Sequence, residues 1–243
     1  MAYLTGFHAI EERIKACAAG CVLLAAKPGP RAREIAALAV KQGIRVLRTG
    51  TTELDRLSPG HRGLVLEVND GGEPSIFTLD SFLESLGDKK KVLAVMLDEI
   101  TDPHNFGAIL RSCDQFNIDI VITRNKRSAK HADIIAKTSA GASAWVPSAE
   151  TANLPRAVEQ LKEAGFWVYG ADMTGKALYD TDLSGRVCVI LGGEGRGLSR
   201  LLAEKCDALI SIPSLGKIDS LNVSVAAGIV LYEVTRQRLS DRR

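Results

Sequence analysis

The chain has 243 residues, 46% apolar and 25% charged; at about 150 residues per domain this predicts one large or two small domains, with the composition of a globular protein that can fill a core. Disordered, collagen-like and coiled-coil chains are excluded. Lys and Arg total 31 against 29 Asp and Glu, a formal charge of +2, which neither demands nor rules out nucleic acid, because a basic patch can hide in a neutral total.

No apolar run approaches the roughly 18 residues of a membrane span; Val92–Leu97 is typical of the longest. Met1–Gly20 carries Glu11, Glu12, Arg13 and Lys15 where a secretory signal needs an uninterrupted apolar stretch. The expectation is a cytoplasmic protein with no membrane partner. Cysteines stand at 17, 21, 113, 188 and 206, and Cys17 and Cys21 have no second pair at zinc-site spacing. They read as reduced core thiols, and no metal site is expected.

Residues 1–70 alternate helix and strand signals. Ala9, Ile10, Ile14 and Cys17 recur at helical spacing, Cys21–Ala26 reads as a buried strand, Ile35, Leu38 and Ala39 stripe a second helix, and Ile44–Leu47 and Gly63–Val68 read as strands. Asp70-Gly71-Gly72-Glu73-Pro74 breaks the periodicity, so 71–90 is expected to be a linker, with a short helical pattern at Leu79–Leu86. From residue 91 a longer alternation begins. Val92–Leu97, Ile118–Thr123, Trp167–Ala171, Val187–Leu191 and Leu209–Ile212 are short apolar runs separated by helical stripes, and Leu221–Leu239 reads as one long helix. Such alternation predicts an α/β domain with a parallel sheet covered on both faces.

Parallel sheets bind ligands beyond the carboxyl ends of their strands, which directs attention to three loops. After Val92–Leu97, Asp102 and Pro103 have the form of an N-cap and first helical residue. Arg111 on that helix is either an ordinary surface arginine or a grip for phosphate or ribose. After Val187–Leu191 comes Gly192-Gly193-Glu194-Gly195-Arg196-Gly197. Its glycine spacing does not match the dinucleotide fingerprint, and a turn alone does not require four glycines around a carboxylate. After Leu209–Ile212, Ser220 can cap the last helix, and Asn222 one turn in needs a partner for its amide. Gly170–Ala177 imitates a phosphate loop, but alanine stands where a hydroxyl must bind magnesium, and an NTP site is rejected.

Taken together, N-F-G-A-I-L-R (105–111), L-G-G-E-G-R-G-L-S (191–199) and I-P-S-L-G-K-I-D-S-L-N-V-S-V-A (212–226) resemble, in order, the three motifs of the SPOUT superfamily, in its TrmH (SpoU) branch of RNA ribose 2′-O-methyltransferases. Leu4–Ala9 and His61–Val65 resemble the L30e-like RNA-binding extension of that branch. The resemblance implies a deep trefoil knot in residues 91–243, although general topology rules argue against knots. It also implies S-adenosylmethionine as cofactor, an obligate homodimer, and a guanosine 2′-hydroxyl of large-subunit (23S) rRNA as methyl acceptor. A tRNA ribose and a non-catalytic RNA-binding role are the alternatives. Motif matching gives Gly192, Ile212 and Leu221 to the cofactor, and Asn105, Arg111, Glu194, Ser220 and Asn222 to the catalytic and RNA-facing shell. The family's arginine is assigned the removal of the hydroxyl proton, yet a guanidinium, with a pKa above about 12, is a poor base. Arg111 is therefore expected first to hold the phosphate beside the target ribose, with Glu194 and Asn222 orienting it. The basic run Arg124–His131 reads equally as a solvated loop or a phosphate contact.

Overall fold

A computed structural model describes residues 2–15, 20–58, 60–68, 76–124, 132–193, 195, 197–217 and 220–240. The chain forms two compact units, residues 1–73 with 140–145 and residues 74–139 with 146–243. Cys17, the glycine-rich stretch at 70–74, the run at 125–131, Glu194 and Arg196 lie outside the described residues.

The first unit runs β1 (Ala2–Leu4), α1 (Phe7–Lys15), β2 (Gly20–Ala25), α2 (Pro30–Lys41), β3 (Arg45–Thr49), α3 (Thr51–Leu57) and β4 (Leu64–Val68). Its sheet is ordered β1-β4-β2-β3, with β2 parallel to β3 and β4 antiparallel to both β1 and β2. Strand β2 reads as a continuous apolar run because it is covered twice. Val22 and Leu24 pack with Ile10, Ile14 and Ile35, while Cys21 and Leu23 pack with Leu54 and Val65. The turn into β4 is pinned by His61, which is buried. Its Nδ1 accepts from the Gly63 amide at 2.8 Å, so Nε2 carries the hydrogen and donates to Asp55 at 3.1 Å. Between them Arg62 is held exposed in a left-handed conformation, φ 49°.

The second unit contains β5 (Ile76–Phe77), α4 (Leu79–Ser85), β6 (Val92–Leu97), α5 (Pro103–Gln115), β7 (Ile120–Arg124), α6 (Ala132–Thr138), β8 (Ser148–Thr151), α7 (Leu154–Glu163), β9 (Trp167–Ala177), β10 (Arg186–Leu191), α8 (Arg200–Lys205), β11 (Ala208–Ser211) and α9 (Val223–Ser240). The sheet order is β11-β9-β10-β6-β7-β8-β5, and every pairing is parallel. All six residues of β6 are buried, as a strand covered on both faces requires. Val92, Ala94 and Met96 share one core with residues of α4, α7 and α8, and alternation sends Leu93, Val95 and Leu97 to the other face.

Residues 79–85, inside the stretch expected as linker, are a capped helix. Thr78 Oγ1 accepts from the Ser81 amide, and Leu79 and Phe82 are buried. Two arginines tie the amino ends of the strands. Arg186 donates to the carbonyls of Gly87, Lys89 and Ala164, and Arg238 to those of Val92 and Gly185. The polar ends of α9 and β10 thus brace the edge of the sheet opposite the motif loops. Among the described residues no helix is long and apolar enough to cross a membrane.

Candidate active site

The order in which strands are added to the sheet reverses between β6 and β10, which run parallel. From β6 the chain proceeds to β7 and β8, then returns to the other side and enters β10 beside β6, in register from Val92↔Arg186 to Leu97↔Leu191. Such a switch point leaves a crevice at the strands' carboxyl ends. Here the loop after β6 and the glycine turn after β10 emerge side by side.

The first loop feeds α5 as its residues dictate. Asp102 Oδ1 accepts from the His104 amide at 3.0 Å, and Pro103 occupies the first turn. The second carboxylate oxygen accepts from Asn105 Nδ2 at 3.0 Å, and Asn105 Oδ1 in turn accepts from Asn222 Nδ2 at 3.0 Å, although the two asparagines are 117 positions apart. Asn222 Oδ1 accepts from Ser224 N at 2.9 Å, from Ser224 Oγ at 2.6 Å and from Val225 N at 3.4 Å. Because Asp102, as a carboxylate, can only accept, it fixes which way both amides point. A single directed relay therefore joins the start of α5 to the start of α9.

Ser220 does not cap the last helix. It lies exposed before it, and Asn222 receives the first amides of α9. Asparagine serves as a cap at least as well as serine, and the helix begins at Val223, later than the apolar pattern from Leu221 suggests. Nor does Asn222 turn toward Arg111; its side-chain amide is directed to Asn105. Six positions beyond Asn105, Arg111 points about 120° away around the helix axis and lies about 9 Å along it. There it is exposed, on the face shared with His104 and Ala108, and forms no ion pair with any described residue.

Gly107, on the same motif, lets two helices touch. A Cβ there would lie 2.8 Å from Thr138 Cβ and 3.1 Å from Ile135 O. Gly192 ends β10, and a Cβ on it would meet the backbone of Gly197 and Leu198 at 2.1–2.3 Å, so only glycine fits that approach. The turn closes with Gly197 N donating to Gly193 O at 3.0 Å. Ile212 follows β11 half-buried, while Pro213–Lys217 and Leu221 are exposed. The structure thus brings Asn105 and Asn222 into contact and sets Gly192 in the crevice. Ser220, Leu221 and Arg111 are left on the surface.

Sequence reasoning passed over Asp98, 1% exposed, whose carboxylate accepts from Ser199 N at 3.0 Å. An acidic pair, Asp98-Glu99, directly after a six-residue apolar strand was the available signal. The rejected phosphate-loop imitation, 170–177, is β-strand within β9. Among the described residues no group of three metal-ligating side chains is present. Burial pushes the Cys113 thiol up to about 12 and the Cys188 thiol higher still, as befits core thiols.

A parallel α/β sheet with asparagine- and glycine-bearing loops at its switch point defines a ligand-binding crevice of the enzyme type. Comparison with known proteins gives the family. Residues 92–232 match the SpoU rRNA methylase family, and residues 3–71 match the RNA 2′-O ribose methyltransferase substrate-binding domain. A 23S rRNA (guanosine-2′-O-)-methyltransferase, RlmB, of Neisseria meningitidis is 38% identical over 240 residues, covering 96% of this chain and 94% of that protein. An uncharacterized tRNA/rRNA methyltransferase of Borreliella burgdorferi is 42% identical over 218 residues, covering 87% of this chain and 96% of its own. The fold is shared with the SpoU methyltransferase AviRb of Streptomyces viridochromogenes, solved in complex with AdoMet: TM-score 0.73, 24% identity, 98% of this chain and 90% of that one. The chain belongs to the SpoU (TrmH) family of SPOUT RNA ribose 2′-O-methyltransferases.

Proposed function

We propose that this chain transfers a methyl group from S-adenosylmethionine to the ribose 2′-hydroxyl of a guanosine in 23S rRNA, as a cytoplasmic homodimer with a deep trefoil knot in residues 91–243. The observation that carries the reading is the Asn105–Asn222 bond, which couples the first and third motifs. Relatives named for that reaction and aligned over nearly the whole chain support the substrate.

The residues present fit the cofactor. Gly192 and Gly193 lie so close to the backbone of Gly197, Leu198 and Glu99 that neither has room for a side chain, so the turn is built of main-chain groups. Gly192, Ile212 and Leu221 would hold it through main-chain groups. When bound, the cofactor supplies an electrophilic methyl group on a sulfonium. Everything else falls to the chain. The asparagine relay fixes the positions of the motif loops, so orientation supplies much of the acceleration. Glu194 and Ser220 complete the substrate side. Arg111, free of a described ion pair, grips the phosphate beside the target ribose with its fork of donors. Its exposed position on α5 suits contact with RNA better than contact with the relay.

The homodimer is supported by an uncovered stripe. Leu221, Val225, Ile229 and Tyr232, at spacings of four, four and three, are all exposed on or just before α9, an apolar face that a second copy of the chain would cover. Sedimentation of the wild type at the dimer mass, and of Ile229→Asp at the monomer mass, would bear this out; a monomeric wild type refutes it.

The deciding assay is methylation with labelled S-adenosylmethionine on 23S rRNA and on tRNA, with the mark mapped by sequencing. The expected result is a 2′-O-methylguanosine in 23S rRNA, lowered in kcat/KM at least about tenfold by Arg111→Ala. Marks on tRNA alone would move the substrate, and calorimetry showing no cofactor binding would leave a non-catalytic RNA-binding protein.

A further inference from the structure

One buried charge takes no part in the mechanism above. Asp98 follows β6 and is 1% exposed. Its backbone amide donates to Leu191 O at 2.9 Å, at the point where the chain enters the glycine turn. Its carboxylate Oδ2 accepts from Ser199 N at 3.0 Å, where the chain leaves it. One residue thus holds both ends of the 192–198 loop. Its neighbour Glu99 adopts a left-handed φ of 55°, and its carbonyl oxygen lies 2.7 Å from where a Cβ on Gly193 would sit. The other carboxylate oxygen, Oδ1, is buried with no hydrogen-bond partner among the described residues.

A buried carboxylate that is only half satisfied is a burden on the fold, and a non-glycine residue at positive φ adds strain. Both occur at one joint, next to the loop assigned to the cofactor. Strain concentrated in this way is characteristic of functional sites. We infer that Asp98 is a positioning residue, a clamp that sets the opening of the 192–198 loop and through it the affinity for S-adenosylmethionine. This rests on the reading that the loop holds the cofactor.

Three variants separate the clamp from mere packing. Asp98→Leu removes the acceptor and puts a larger apolar side chain in its place. Asp98→Asn retains a carbonyl oxygen that can accept from Ser199. Ser199→Pro removes the donated N–H and sets the ring Cδ against the carboxylate that accepted it, at an exposed position whose φ of −60° suits proline; it breaks the clamp from the other side and serves if Asp98→Leu does not fold. Cofactor affinity is read by calorimetry, and amide hydrogen exchange of the 191–199 segment is read in protein free of cofactor. For Asp98→Leu and Ser199→Pro the expected result is a Kd raised at least about tenfold and faster exchange in that segment. Melting temperature, read alongside, gives the packing cost of each substitution apart from its effect on the cofactor. Asp98→Asn should stay within about threefold of wild type. Wild-type Kd and unchanged loop exchange in both clamp-breaking variants would overturn the clamp and leave the cofactor reading standing, as would an Asp98→Asn as impaired as Asp98→Leu. If the wild type binds no cofactor, that reading falls and the exchange data alone decide whether Asp98 holds the loop.

Discussion

The relay Asp102–Asn105–Asn222 has a polarity, and a polarity can be reversed. In the wild type Asn222 donates to Asn105, which donates to Asp102. Asn222→Asp replaces the donor with a second acceptor while retaining an oxygen for the Ser224 and Val225 amides. Whichever way the Asn105 amide then turns, one end of it faces an oxygen with an oxygen. Asp102→Asn alone creates the mirror mismatch: with its oxygen kept on the His104 amide, its NH2 faces the NH2 of Asn105. Each mismatch removes one hydrogen bond and sets like groups about 3 Å apart, a cost of about 1–3 kcal/mol in the properly assembled site. That corresponds to a loss of roughly 5- to 150-fold in kcat/KM for methyl transfer to the RNA. In the double variant Asn105 turns over, donates to the carboxylate now at position 222 and accepts from the amide now at 102, so the relay runs backward intact. The double variant should exceed the product of the two single effects by at least about tenfold, a coupling of roughly 1.4 kcal/mol. Multiplicative losses would refute the relay as a working unit.

Other consequences can be checked more simply. Gly107→Ala adds a methyl group 2.8 Å from Thr138 Cβ; overpacking of about 1–3 kcal/mol outweighs the roughly 1 kcal/mol gained in helix propensity, so calorimetry should show Tm lowered by a few degrees. In the native protein Cys113 and Cys188 should resist alkylation at pH 8, because burial raises both thiols, and peptide mapping after iodoacetamide checks it. The Glu233 carboxyl is held below its usual range by Arg236 first and by Gln237, and that of Asp182 by Ser184. A folded-state pKa that is lowered stabilises above the unfolded carboxylate range and loses that contribution as pH falls through the folded value. Melting temperature should therefore be flat above about pH 5 and fall below pH 4, with a shallower fall in Glu233→Gln.

Much of the architecture was written in local pattern. The run Val92–Leu97, with Asp102 and Pro103 behind it, announces a buried strand followed by a capped helix, and both are present. Strands β1 and β5, of three and two residues, are too short for periodicity to register, and β8, Ser-Ala-Glu-Thr, has no apolar run to announce it. Strand β9 was read only to Ala171 because beyond it Asp172, Met173 and Thr174 are polar or exposed; backbone pairing with β11 carries the strand on to Ala177, with a shift in register between Leu209 and Ile210. The site was legible as motifs and not as contacts. Nothing local in Asn105 or Asn222 says that they meet, or that Asn222 rather than Ser220 caps α9, because both facts depend on partners brought in by the tertiary fold. Asp98 escaped notice for the same reason. Its meaning lies in Leu191 and Ser199, remote along the chain.

The wholly parallel sheet of the second unit has a bearing on biogenesis. The central pair, β6 and β10, joins residues 92 and 186, and parallel neighbours require long crossovers whose closure must precede any reward. Acquisition of the native state should accordingly be slow, and a nascent polypeptide halted before β10 would expose the uncovered flank of β6 to aggregation. Methyl transfer capacity should then arise abruptly, in the last stage of maturation, instead of growing in proportion to secondary structure.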